Sequence, residues 1–162
     1  MQMSLALCRN ELMIESLYIA PLHGGDQHSV VDIEVVSGKG IVGDRNYGEK
    51  DWPGQNITFI GIEEILRFNR ECSQNIATEQ TRRNVITKGV ELNTLIGKEF
   101  LIGKTVYKGV ESCEPCSTLG KLLETDSISK QEVVKAFVGR GGLRADIIKG
   151  GKISVGMELQ VR

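Results

Sequence analysis

KEFLIGKTVYKGVES, residues 98–112, places two short apolar runs on either side of Gly103-Lys104. That pattern predicts two antiparallel strands joined by a tight hairpin. The same style recurs outward in both directions. MIESLYIAP (13–21) alternates and ends at a proline, and SVVDIEVVSG (29–38) is β-branched and closes on glycine. NITFIG (56–61) and RNVITKG (83–89) repeat it. DIIKGGKISVGMELQVR (146–162) reads as a closing pair of strands around Gly150-Gly151, with Ile153, Val155, Met157, Leu159 and Val161 on one face. Nineteen glycines against three prolines suit many turns between short strands.

Helices are fewer. IEEILRFNREC (62–72) has apolar residues near helical period, acids early and arginines late, as the helix dipole favours. SKQEVVKAFVG (129–139) opens with a capping box, Ser129 with Glu132, and stops at Gly139. A third short helix follows CEPC, with Pro115 and Cys116 in its first turn. The expectation is a mainly β fold, a closed or nearly closed barrel with a few peripheral helices, since closure removes exposed edges.

The chain has 162 residues, 40% apolar and 25% charged, with a net charge of −1. That suits one domain, taken as residues 13–162 behind an N-terminal extension of residues 1–12. Near-neutral charge argues against a nucleic-acid or anionic-membrane surface. No apolar run approaches a bilayer span of about 18–20 residues. LALC (5–8) faintly resembles a lipoprotein cleavage site, but Arg9 and Glu11 follow at once. The expected location is the cytoplasm, where close cysteine pairs are more often catalytic or metal-binding than disulfide-bonded.

ESCEPCSTL (111–119) holds such a pair, Cys113 and Cys116. Several chemistries use two cysteines at this spacing. A structural zinc site needs four ligands, and the partners on offer are Cys8, Cys72 and the loose His23-x4-His28. A redox dithiol lies at a strand-to-helix junction, here without thioredoxin-like β-α-β surroundings. Two buried apolar thiols are the plainest reading, though Glu114-Pro115 between them suggests an exposed turn. The fourth is one activated thiol with a helper.

Four stretches occur together in order: IVGDRNYG (41–48), TRRNVITKGVELNTLIGKEFLIG (81–103), CEPCSTL (113–119) and GRGGLRADIIKGGKISVGMEL (139–159). In that order they resemble the MOSC family, named for the C-terminal domain of molybdenum cofactor sulfurases. The resemblance implies a pyruvate-kinase-type β-barrel. It also implies a role in handling sulfur for metal-sulfur sites, or in binding the molybdenum cofactor (molybdopterin) through a cysteine. The motif cysteine corresponds to Cys116, which as a thiolate accepts sulfur or ligates soft molybdenum; Cys113 is its auxiliary. Arg82, Arg83, Asn84, Arg45 and Arg144 are candidates for gripping an anionic pterin. Arg82 and Arg83 fall on an expected strand and so on opposite faces, with Asn84 on the side of Arg82. The glycines of GRGGLR read as a helix stop and turn rather than a phosphate cradle. Trp52 is placed over the barrel mouth, and His23 and His28 on the surface.

The expected function is a standalone MOSC domain that binds molybdenum cofactor, or carries sulfur as a cysteine persulfide. It would be served by a cysteine desulfurase holding its own pyridoxal phosphate, and would act toward a molybdenum-cofactor enzyme or maturation protein. One alternative is a molybdenum-cofactor-dependent reductase of N-hydroxylated compounds. Another is a non-catalytic or zinc-binding module, with a homodimer as an option.

Overall fold

The computed structural model describes residues 11–162; Cys8 and most of the expected N-terminal extension lie outside them. Among the described residues, eleven strands fall in two sheets. They are β1 (Met13–Ile19), β2 (His28–Val30), β3 (Asp32–Val36), β4 (Gly40–Ile41), β5 (Ile57–Gly61), β6 (Val85–Lys88), β7 (Glu99–Ile102), β8 (Thr105–Ser112), β9 (Leu143–Lys149), β10 (Gly151–Ser154) and β11 (Leu159–Val161). The helices are α1 (Ile62–Glu71), α2 (Ser117–Leu123) and α3 (Lys130–Phe137).

The main sheet runs β11-β7-β8-β9-β5-β6-β1-β2 and curls round on itself. The Ile14 amide donates to Met157 O at 3.0 Å and the Leu159 amide to Leu12 O at 2.7 Å, so the first and last segments meet and close the barrel. The 98–112 hairpin forms as expected, with Ile102 opposite Thr105. β5, α1 and β6 make a crossover unit whose strands pair in parallel, Phe59 opposite Val85.

Strand alternation divides the apolar residues between two cores. Phe59 and Val85 point into the barrel with Phe100, Tyr107 and Leu143. There Phe59 meets both Phe100 and Tyr107 edge-on, with ring centroids 5.5 and 5.8 Å apart. Ile60 and Ile86 point outward under the helices, onto Phe68, Leu119, Leu123 and Phe137. The helices therefore pack on one wall of the barrel, formed by β5 and β6.

Two expectations change. SVVDIEVVSG is not one strand: it breaks at Val31, β2 pairing with β1 and β3 with β10 in the small sheet. Nor do the last strands pair with one another. β9 joins β8 and β5, β10 joins β3, and β11 joins β7. A turn at Gly156, φ +88°, interrupts the alternation, so Ile153 and Leu159 are buried while Val155 and Val161 are exposed. Closing a barrel needs partners distant in sequence, which a local alternating pattern does not encode.

Candidate functional site: a thiol beside an arginine cluster

β8 delivers the cysteine segment. Its last residues pair with β9, Ser112 opposite Leu143, and the Cys113 amide then donates to Gly142 O at 2.8 Å. Cys113 is thereby buried at the strand end, with its carbonyl oxygen against Gly141. A Cβ at Gly141 would collide with that carbonyl, and one at Gly142 with Phe59 O. The glycines of GRGGLR thus let one backbone pass close over another. Gly139, φ +68° beyond the α3 end, is the stop expected there.

Around Cys113 the chain makes one tight bend, the Glu114 amide donating to Ser112 O at 3.1 Å. That bend does not span both cysteines: the first thiol is buried and the second exposed. Cys116 is the N-cap of α2, at φ −114° and ψ 173°, and Pro115 lies outside the helix. Both were expected in the first helical turn. Cys116 stays outside the helix because a capping residue takes β-region angles.

The Cys116 side chain makes no capping hydrogen bond. Its surroundings still favour the thiolate. Burial alone would push the thiol up, but the amides of Leu119 and Thr118, the Thr118 hydroxyl and the Arg83 charge outweigh it, and the pKa is lowered.

Arg82 and Arg83 precede β6 instead of lying on it. Arg82 caps a 3-10 turn (Thr78–Thr81) in the left-handed region, φ 59°. That kink sends the two guanidiniums apart. Arg82 Nη1 donates to Gly25 O at 2.7 Å, clasping the HGGDQH loop. Arg83 turns inward, donating from Nε to Gly141 O at 2.9 Å and from Nη1 to Thr81 O at 3.3 Å. Burial disfavours its charge and lowers its pKa, Arg144 adds to this, and the Cys113 and Cys116 sulfurs counter it. Among the described residues no carboxylate pairs with Arg83.

Arg45 donates to Asp44 Oδ1 at 3.3 Å and to Gln27 Oε1 at 3.5 Å, while Gln27 Nε2 donates to Arg83 O at 3.1 Å. Burial lowers the Arg45 pKa, Asp44 opposes this, and the nearby Arg82 and Arg83 charges add to the lowering. Arg144, on β9, stands 3.9 Å from Glu111 on β8. Asn84 is buried beneath the cluster; its Oδ1 accepts from the Thr58 amide at 3.2 Å and its Nδ2 donates to Tyr18 O at 3.3 Å. Asp44 is also structural, taking the Ala20 amide at 3.0 Å.

The fold therefore brings Cys113, Cys116, Arg45, Arg82, Arg83 and Arg144 to one end of the barrel, over Asn84. Beside α2 lies a cleft of about 460 Å³ lined by Arg82, Gln27, His28 and Leu122, with Asp26 and Glu79 on its acidic side. Trp52 is half exposed in a separate groove with Lys50 and Asp146. His23 and His28 are exposed, and no three His, Cys, Asp or Glu side chains among the described residues cluster as a metal site. Sequence reading missed Gln27, the bridge between Arg45 and the Arg83 backbone, because its partners lie 18 and 56 residues away.

The MOSC domain pattern matches residues 21–160, spanning barrel, cysteine segment and arginines. The chain belongs to the MOSC family. Solved structures agree on the fold. The YuaD protein from Bacillus subtilis is 20% identical with a TM-score of 0.82, over 93% of this chain and 94% of that one. YiiM from Escherichia coli is 18% identical with a TM-score of 0.68, over 93% of this chain and 69% of that one. YiiM from Geobacillus stearothermophilus is 15% identical with a TM-score of 0.71, over 93% and 75%. No curated protein matches in sequence. No helix among the described residues is long and apolar enough to cross a membrane.

Proposed function

We propose that this MOSC protein is a sulfur carrier that holds sulfur as a persulfide on Cys116. The observation that supports this most is the pairing of exposure with activation: an accessible thiol, favoured as thiolate by local amides and Arg83, beside a second cysteine that is buried. A donor persulfide, R–S–SH, presents its terminal sulfur to the Cys116 thiolate. The new Cys116 S–S bond forms as the donor's S–S bond breaks, the electron pair leaves on the donor thiolate, and no outside oxidant is required. A cysteine desulfurase, with pyridoxal phosphate of its own, is the class of partner that makes such a persulfide. A molybdenum-cofactor enzyme or maturation protein is the acceptor class.

A second reading is favoured by the cationic cluster. The residues suit a molybdenum cofactor: Cys116 offers a soft, exposed sulfur, and Arg45, Arg82, Arg83 and Arg144 offer guanidiniums toward anionic groups. Bound there, the cofactor would supply redox chemistry, including reduction of N-hydroxylated compounds. The chain's own residues would position and neutralise it.

The test is intact mass after incubating reduced protein with a desulfurase and cysteine. A carrier gains about one sulfur, roughly 32 Da, removable by mild reductant. Cys116→Ser abolishes the gain and Cys113→Ser spares it. Equal loss in both variants would contradict the single-thiol reading.

A further inference from the structure

Arg83, whose neighbours include Cys113, Cys116 and Arg144, is poorly neutralised, and so is Arg144. Arg83 spends Nε and Nη1 on two neutral carbonyl oxygens, Gly141 O and Thr81 O, and has no carboxylate partner among the described residues. Arg144 stands 3.9 Å from Glu111, beyond hydrogen-bond length, with about a third of its side chain exposed. The two arginines flank one junction: Arg83 bonds Gly141 O, Gly142 O accepts the Cys113 amide, and Arg144 follows two residues later on β9. Behind them, Gln27 ties Arg45 to the Arg83 backbone, adding a third cation whose single close carboxylate is Asp44. The acids of the nearby cleft, Asp26 and Glu79, lie on the Arg82 side, and Glu114 is exposed between the cysteines.

A thiolate attacking a neutral persulfide gains little from such a field. Attack on an anionic donor gains much, because two negative groups must approach and the leaving group carries charge away. We propose that Cys116 takes sulfur from a small sulfane-sulfur oxyanion of the thiosulfate class, its sulfonate oxygens held by Arg83 and Arg144. The Cys116 thiolate attacks the outer sulfur of thiosulfate. Its S–S bond forms as the sulfur–sulfonate bond breaks, sulfite leaves with the electron pair, and Cys116 keeps the persulfide. Charge balances at −3 on both sides, from one thiolate and one dianion, and no redox partner is required.

This inference rests on the carrier reading, and a pair of donors separates the two. Reduced full-length protein is given thiosulfate or cysteine persulfide at one pH and ionic strength, and sulfur on Cys116 is followed by intact mass, with sulfite release measured in the thiosulfate arm. Cys116→Ser is the blank. Thiosulfate is expected to load Cys116 with one sulfite released per sulfur gained. Arg144→Gln should slow that loading on the order of tenfold, as loss of one oxyanion donor does, and leave cysteine persulfide loading within about twofold. Arg83→Lys, which keeps the charge and loses the fork, should give an intermediate rate. Loading by cysteine persulfide alone, or equal slowing of both donors by Arg144→Gln, overturns the oxyanion site and leaves the carrier standing. If neither donor loads Cys116, the carrier reading falls and takes this inference with it.

Discussion

At Cys116, burial raises the thiol pKa while the amides of Leu119 and Thr118, the Thr118 hydroxyl and Arg83 lower it more. Alkylation of Cys116 should therefore rise with pH through a midpoint below that of an unperturbed thiol, then level off. Arg83→Gln should move that midpoint upward and Arg83→Lys should largely restore it; an unchanged midpoint in Arg83→Gln would remove Arg83 from the site. The linkage sign follows. A folded-state pKa below the unfolded one means that the unfolded chain binds more protons between the two values. Cys116 thus stabilises the fold above its unfolded pKa, and that contribution is lost as pH falls through the folded one. CEPCSTL is enough to single out Cys116 as the candidate thiol. Its position as a helix cap, and the left-handed turn at Arg82 that separates the two arginines, were not legible in the sequence, since both depend on backbone angles set by neighbouring elements.

The segment 139–142 packs against the backbone just beyond β8, where Gly142 O accepts from the Cys113 amide. Gly141 and Gly142 are needed for space, against Cys113 O and Phe59 O, whereas Gly139 has open space around its Cβ position and is needed only for its positive φ. Gly139→Ala should cost about 1 kcal/mol in urea unfolding. Gly141→Ala should cost more, at least about 2–3 kcal/mol, and should also alter Cys116 reactivity by displacing the Cys113 backbone. Equal costs with unaltered reactivity would show that this close passage does not position the site. Reading glycines as turn punctuation captured Gly139 and Gly103, each beside a local stop or hairpin. It read Gly141 only as part of a turn and not as a close approach, whose partner Cys113 is distant in sequence.

Over the whole molecule, strand content and helix number followed from alternation and capping signals, while the pairing order did not. The closing contact joins Leu12 to Leu159, and the partner of β10 is β3, more than a hundred residues away in sequence. The barrel core carries one titratable reporter, Tyr107, stacked on Phe100 with ring centroids 5.3 Å apart and accepting from the Thr105 hydroxyl at 2.9 Å. Burial pushes its pKa up to about 12, with the Thr105 bond opposing. Because the folded phenol holds its proton longer, stability from this group is full below about pH 10 and is lost as pH rises toward 12. Tyr107→Phe should therefore flatten the alkaline limb of a pH–stability profile. An identical limb in the variant would place the phenol in contact with solvent.

The most direct test of the carrier itself is intact mass and metal content of protein isolated anaerobically, before and after mild reduction, from a host that makes molybdenum cofactor. A reducible gain of roughly 32 Da that disappears in Cys116→Ser is the predicted result. Stoichiometric zinc, or a gain of sulfur that survives in Cys116→Ser, would contradict it.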